Sequence, residues 1–123
     1  MLKGIDPLLN ADVLRVLRAM GHGDDLIVAD TNFPSDSVAR QTTFGKLLRI
    51  DKPAADVVRA VLSVMPLDTF VDDFAGRMQV GDDPTDIPPV QAEVAAEVEA
   101  WSDLPCWIPR TMEAGAGTIR VDR

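Results

Sequence analysis

Tyrosine is absent from the sequence, and cysteine and histidine occur once each. A single thiol cannot form an intramolecular disulfide, so a disulfide-stabilised scaffold is excluded. No apolar run approaches the ~20 residues that cross a bilayer, and residues 1–4 do not begin a secretion signal. Basic residues are few, with 12 Lys and Arg against 20 Asp and Glu and a net charge of −8. Since nucleic acids are bound by basic surfaces, we expect a cytoplasmic protein that binds neither membranes nor nucleic acid.

The remaining composition is that of an ordinary folded domain. Hydrophobic residues make up 46% and charged residues 26% of the 123 positions, a balance that excludes wholesale disorder. A chain of this length buries roughly two thirds of its unfolded surface and can form its own core. No internal repeat divides it. We therefore expect residues 1–123 to form a single domain.

Hydrophobic spacing predicts helices that alternate with strands. Residues 11–20 carry an apolar face at helical spacing, with Asn10 as the N-cap and Gly21 as the left-handed residue that ends the helix. The continuous apolar run 26–29 predicts a strand buried on both faces. The other expected elements are strands at 46–50, 74–80 and 118–123, a helix between Pro53 and Pro66, an exposed connection at 81–89 and a helix at 90–101. This order indicates an α/β fold with a mixed central sheet and flanking helices.

The single histidine, His22, is the first candidate for chemistry. It lies between two glycines at the end of the first predicted helix. Imidazole is the side chain best suited to proton transfer at physiological pH. The C-terminal end of a helix favours the protonated ring, which points to an acid role. The alternative is a solvent-exposed turn histidine with no function.

Asp30 is the second candidate, because it follows a predicted strand at the start of a loop. Ligand-facing groups of open α/β sheets usually occupy such positions. A carboxylate there can accept two hydrogen bonds from neighbouring hydroxyls of a sugar. The alternative is a turn residue that stabilises Asn32 or Ser35. The residues alone leave both possibilities open.

Other catalytic and metal-binding patterns do not occur in the sequence. The histidine and acids at positions 22, 24, 25 and 30 match no established ligand spacing, so we expect no metal site. The segment 21–23 is too short to be a phosphate-binding glycine loop. No serine lies in a nucleophile-elbow pattern.

Two linked motifs carry a resemblance to a known family. Met-Gly-His-Gly-Asp at residues 20–24 and Asp-x-x-Phe-Pro at residues 30–34, together with residues 1–9, resemble the L-fucose mutarotase and D-ribose pyranase family. The segment 119–123 is similar to the one that carries a sugar-binding arginine in the fucose branch, which would be Arg123. Residues 71–117 are only loosely similar.

The resemblance implies a fold, an activity and an assembly. Members of this family interconvert the anomers of free monosaccharides without a cofactor. They form ring-shaped decamers whose active sites lie at subunit interfaces. By resemblance, His22 is the catalytic proton donor, and Asp30 and Arg123 bind hydroxyls of the sugar.

One departure from the family pattern affects the functional hypotheses. Family members continue through a helix to a Tyr-Gly-Asn motif, which this sequence lacks, so we expect the C-terminal part of the family domain to be missing. The first hypothesis is a mutarotase that acts on L-fucose or a related sugar. The second is a non-catalytic monosaccharide-binding protein. The third is a D-ribose pyranase, against which the segment that carries Arg123 argues.

Overall fold

The computed structural model describes residues 1–72, 74–102, 108–110 and 118–122. Helices and strands are interspersed along the chain, which confirms the α/β class. The elements are α1 (Ala11–Ala19), β1 (Asp25–Ala29), α2 (Ser35–Ala39), α3 (Ala54–Leu62), β2 (Ala75–Met78), α4 (Pro89–Ser102), β3 (Ile108–Arg110) and β4 (Thr118–Asp122).

The four strands form one mixed sheet with the order β1-β4-β2-β3. Strand β4 is antiparallel to both β1 and β2, whereas β2 and β3 are parallel. The pairing of β4 with β1 runs from Asp25 opposite Asp122 to Ala29 opposite Thr118. The expected C-terminal strand is therefore present and lies between β1 and β2, while β1 forms one edge of the sheet.

The first helix begins as its sequence predicts. The side chain of Asn10 accepts a hydrogen bond of 3.0 Å from the backbone N–H of Val13, which satisfies one of the unpaired donors of the first turn. The same side chain donates to the backbone carbonyl of Arg49 at 3.3 Å. Val13 and Leu17 are buried, so the helix turns its apolar face to the core.

The end of α1 differs from the prediction. Met20 is extended, with φ of −63° and ψ of 144°, and Gly21 is not among the residues with positive φ. The turn that follows is closed by Asp24, because the N–H of Gly21 donates to its carboxylate at 2.7 Å and the N–H of Asp24 donates to the Gly21 carbonyl at 3.1 Å. The left-handed residue is Gly23 instead, with φ of 84°. Residues 20–24 thus form a tight turn with His22 near its middle.

A core of aliphatic side chains holds the helices together. Helix α3 packs against α4, and Arg59 on α3 donates to Glu97 on α4 at 3.0 Å. Met65 lies beyond the end of α3 but is only 1% exposed, as the predicted apolar stripe requires. The most buried members of the core are Val58, Ala60, Met65, Ala75, Val94 and Val98.

Helix α4 confirms its prediction and adds a detail. Val94 and Val98 are completely buried, whereas Val90 and Trp101, on the same face, are 46% and 49% exposed. The neighbouring elements of this chain therefore cover only the middle of the apolar face.

Two predictions about strands are wrong. Strand β1 is not buried on both faces: its residues alternate in burial, and Ile27 is 39% exposed, so one face of the strand is left uncovered. Residues 46–50 form no strand. Leu48 and Ile50 pack against the core from an irregular segment, and a short apolar run cannot distinguish that arrangement from a strand.

Two short elements are missing from the sequence prediction. Helix α2 occupies a segment that begins inside the expected loop. Strand β3 contains Pro109, a residue that has no backbone N–H to donate. A proline is tolerated there because β3 is the other edge of the sheet, where a missing N–H costs no ladder hydrogen bond.

The connection at 81–89 is exposed, as the sequence predicts, and the buried side chain of Arg77 is hydrogen-bonded to it. This arginine is 4% exposed. Its guanidinium donates to the carbonyl of Pro84 at 2.5 Å, to that of Asp86 at 3.3 Å and to the Gln91 side chain at 3.1 Å. Within the part of the chain that the structure describes, no helix is long and apolar enough to cross a membrane.

Candidate functional site

The tight turn after α1 presents His22 to a second, distant turn. The Nδ1 atom of His22 lies 2.9 and 3.0 Å from the two carboxylate oxygens of Asp68, which is 46 residues away in sequence. The two side chains differ strongly in burial, with 80% of the histidine exposed and 7% of the aspartate. An exposed imidazole is therefore hydrogen-bonded to a buried carboxylate.

This contact determines which ring nitrogen can reach a ligand. An ionised carboxylate only accepts hydrogen bonds, so Nδ1 of His22 is the donor and carries a proton. The Nε2 atom, on the opposite side of the ring, is then the atom that can exchange a proton with a bound molecule. A carboxylate in this position fixes the tautomer and the orientation of a catalytic imidazole.

The second turn also supplies an aromatic ring. It follows α3 and is closed by hydrogen bonds from Thr69 N to Leu67 O at 2.9 Å and from Val71 N to Asp68 O at 3.1 Å. The Phe70 ring meets the imidazole of His22 edge to face, with centroids 5.5 Å apart and planes at 76°. His22 therefore contacts both an apolar aromatic ring and a buried carboxylate.

Asp30 lies where the sequence predicts, directly after β1 and exposed. Its Oδ1 atom accepts hydrogen bonds from the backbone N–H of Asn32 at 2.8 Å and of Phe33 at 3.2 Å. The turn role with Asn32 is therefore present, while Ser35 bonds the carbonyl of Phe33 instead. Both described bonds use Oδ1, so a role for Oδ2 in binding a hydroxyl stays a prediction.

The structure does not join all three residues that the resemblance singles out. His22 precedes β1 and Asp30 follows it, and the bonds described for each go to different partners. Arg123 lies outside the described residues. Asp122, which comes before it in the sequence, is paired with Asp25 at the start of β1. The group that the structure brings together is His22, Asp68 and Phe70.

Asp68 and Phe70 were not predicted from the sequence. Asp68 is one acid among 20 acidic residues, and no local spacing links it to a histidine 46 residues earlier. The only local signal is that Asp68 directly follows the apolar Leu67. Within the described ranges, no three His, Cys, Asp or Glu side chains are placed to hold a metal ion.

The sequence comparison defines the class of protein. The profile of the RbsD / FucU transport protein family matches residues 3–110. The chain belongs to this family. The resemblance seen in the motifs at 20–24 and 30–34 is therefore confirmed.

Curated relatives carry mutarotase names. The chain is 32% identical to the human fucose mutarotase over 121 residues, which are 98% of this chain and 70% of the relative. It is 40% identical to the fucose mutarotase of Bos taurus over 81 residues, or 65% of this chain and 52% of the relative. The chain thus spans about half the length of the bovine protein.

Solved structures match along nearly the whole chain. The crystal structure of Atu2016, a candidate sugar-binding protein, is 45% identical with a TM-score of 0.86 and covers 100% of this chain and 95% of that one. The fucose mutarotase of Streptococcus pneumoniae in complex with L-fucose is 25% identical with a TM-score of 0.74, and the match covers 99% of this chain and 97% of that one. These structures share the α/β fold described above.

Proposed function

We propose that this protein is a sugar mutarotase that interconverts the α and β anomers of L-fucose or a related free monosaccharide. The observation that carries the proposal is the exposed imidazole of His22 held on the buried carboxylate of Asp68. The names of the human and bovine relatives and the L-fucose bound to the pneumococcal structure support the substrate class.

The reaction needs little from the protein. A cyclic hemiacetal opens when its ring oxygen gains a proton and its anomeric hydroxyl loses one. The aldehyde then rotates and the ring closes on its other face. Nothing is oxidised and no covalent intermediate with the protein is required, so proton transfer and positioning suffice.

The roles follow from the geometry of the site. We assign the acid role to the imidazolium form of His22, whose Nε2 gives its proton to the ring oxygen on opening and takes it back on closing, while a water molecule accepts the proton of the anomeric hydroxyl and returns it. Asp68 holds Nδ1–H and stabilises the imidazolium from which this proton is given. Acid–base assistance of this kind contributes about 10²–10⁴-fold, or roughly 3–5 kcal/mol of the barrier. Because the sugar also opens in water, a gain of this size is sufficient for a useful catalyst.

The proposal also includes residues that bind the sugar and an assembly of several subunits. Asp30 and Arg123 would hold sugar hydroxyls, and no cofactor is needed. Charge steering is not required for a neutral ligand, which is compatible with the net charge of −8. By family resemblance, we propose a cytoplasmic, ring-shaped homo-oligomer with its sites at subunit interfaces. The 80% exposure of His22 in a single chain supports a site that another subunit completes.

Magnetisation-exchange NMR on L-fucose tests the activity directly. The protein is expected to accelerate exchange between the two anomeric proton signals, and His22→Ala is expected to abolish the acceleration. Arg18→Ala is the matched control, since Arg18 is an exposed residue near the same end of α1. If His22→Ala exchanges anomers as fast as the parent protein, the assignment of the proton donor is wrong.

The similarity to Atu2016 favours a second candidate, a monosaccharide-binding protein without catalysis. Calorimetry would then detect sugar binding by a protein that leaves the exchange rate unchanged. The same assay with D-ribose in place of L-fucose separates the mutarotase from the pyranase. A faster exchange of ribose than of fucose would support the pyranase.

A further inference from the structure

The exposure of Phe70 is unusual for a ring of its size. Phe70 is 73% exposed, whereas Phe74, four positions later, is 3% exposed. An aromatic ring that stays in water does not gain the large favourable free energy of burial. A single exposed apolar residue has no necessary meaning. The position of Phe70 against the imidazole is what gives its exposure significance.

The turn at 67–71 fixes this position. Asp68 and Phe70 are two residues apart, and both meet His22, one through the carboxylate at 2.9 Å and the other through the ring at 5.5 Å. The buried carboxylate therefore anchors the imidazole beside an aromatic surface that this chain leaves uncovered. The uncovered ring and the Nε2 atom can face the same bound molecule.

We infer that Phe70 is the stacking surface for the apolar C–H face of the sugar ring. This inference rests on the proposed function and names the substrate class more narrowly. Sugar sites combine apolar and aromatic walls with a few polar groups that fix orientation. A pyranose lying on Phe70 would bring its ring oxygen to the imidazole, while its hydroxyls point away from the aromatic face.

A substrate preference follows from this arrangement. A 6-deoxy sugar has a methyl group where its parent hexose has a hydroxymethyl group, so its apolar face is larger and burying it desolvates no hydroxyl. Phe70 therefore selects pyranoses with an extended apolar face. L-Fucose and L-galactose are a matched pair, because they differ only in the oxygen on carbon 6.

Exchange kinetics on Phe70 variants test the inference. Phe70→Leu retains an apolar side chain but removes the flat ring, and we expect its KM for L-fucose to rise about tenfold with kcat nearly unchanged. Phe70→Trp is expected to retain the low KM. The preference for L-fucose over L-galactose is expected to fall toward unity in Phe70→Leu. Trp101→Ala is the control, since Trp101 is also an exposed aromatic residue.

Other outcomes decide against the inference in separate ways. A KM and a sugar preference that do not change in Phe70→Leu overturn it. A loss of kcat with a changed imidazole ¹⁵N spectrum shows that Phe70 only supports His22, and it also overturns the inference. So does a change in the sedimentation coefficient with no change in KM, which assigns Phe70 to contact with a second copy of the chain.

The inference and the proposed function can fail separately. If the parent protein does not accelerate exchange, the proposed function fails. Saturation-transfer difference NMR then measures contact between L-fucose and the protein directly. Sugar signals that weaken in Phe70→Leu but not in Trp101→Ala support stacking without catalysis. The absence of any sugar signal with the parent protein overturns both.

Discussion

The buried carboxylate of Asp68 accepts from Nδ1 of the exposed His22 at 2.9 Å, although 46 residues separate the two in sequence. The contact joins the turn after α1 to the turn after α3. One ring nitrogen, Nδ1, is hydrogen-bonded to the protein, and the other, Nε2, is available to a bound molecule. The catalytic hypothesis therefore depends on a residue that no sequence motif identifies.

Asp68→Asn is expected to reduce the acceleration of anomer exchange by about tenfold or more. The amide has the shape of the carboxylate but not its charge, so it stabilises the imidazolium less and permits the other tautomer. Exchange NMR measures the rate, and ¹⁵N spectra of the imidazole report the tautomer. Asp36→Asn is the control, since Asp36 pairs with Arg40 at 2.7 Å on the surface. Parental exchange rates in Asp68→Asn would contradict the assigned role.

Asp30→Asn separates the turn role of Asp30 from its proposed binding role. Asparagine retains an oxygen that can accept from the N–H groups of Asn32 and Phe33, so the turn is expected to persist. The loss of charge weakens a hydrogen bond to a sugar hydroxyl, and KM is expected to rise about tenfold with no loss of thermal stability. Asp30→Ala removes both contributions and is expected to lower stability as well. Unchanged KM in Asp30→Asn would limit Asp30 to the turn.

Val94→Ala is expected to destabilise the fold by about 2–3 kcal/mol, because it leaves a cavity between tightly packed side chains. Val94 on α4 is 0% exposed. Val90→Ala, on the same helix at 46% exposure, is expected to change stability by less than about 0.5 kcal/mol. Urea unfolding followed by circular dichroism measures both variants. Equal effects at the two positions would show that α4 is packed differently.

The loop at 81–88 contains a carboxylate, Asp83, whose pKa is lowered by its hydrogen bonds. Hydrogen bonds from the hydroxyl of Thr85 at 2.6 Å and from its backbone N–H at 2.8 Å lower the pKa of Asp83 below its ordinary value of 3.8. A lowered pKa in the folded state stabilises the fold above the ordinary pKa, and the contribution is lost as the pH falls through the lowered value.

Thr85→Ala is therefore expected to raise the pKa of Asp83 toward 3.8, because the stronger of its hydrogen bonds is lost. Thr85→Ser retains the hydroxyl and is expected to retain the low pKa. Carbon-detected NMR titration of the aspartate carboxyl signals distinguishes the two variants. An identical titration in Thr85→Ala and the parent would assign the shift to the backbone hydrogen bonds alone.

Local signals in the sequence predict the helices better than the sheet. Asn10 and the buried Val13 and Leu17 define α1 within one segment, and the structure confirms them. The segment 46–50 has the composition of a strand, but a strand requires a partner, and in this fold Leu48 and Ile50 fill the core without one. Strand pairing is decided far along the chain and cannot be read from five residues.

The candidate site, like the fold, is only partly predictable from the sequence. The motifs at 20–24 and 30–34 locate His22 and Asp30 because they are contiguous. The contacts of His22 with Asp68 and Phe70 depend on how α3 is placed relative to α1, which is a property of the packed core. Sequence reasoning finds the proposed proton donor, and only the fold reveals the groups that contact it.

The position of β4 has a consequence for how the molecule is made. Strands β1 and β2 are synthesised first, yet they are not neighbours, and each is hydrogen-bonded to β4. A nascent chain that ends before residue 118 must hold a gap between them, with unpaired backbone groups on both sides. Closure of the sheet therefore waits for translation of residues 118–122, and ribosome-bound intermediates of this protein should be natural clients of chaperones.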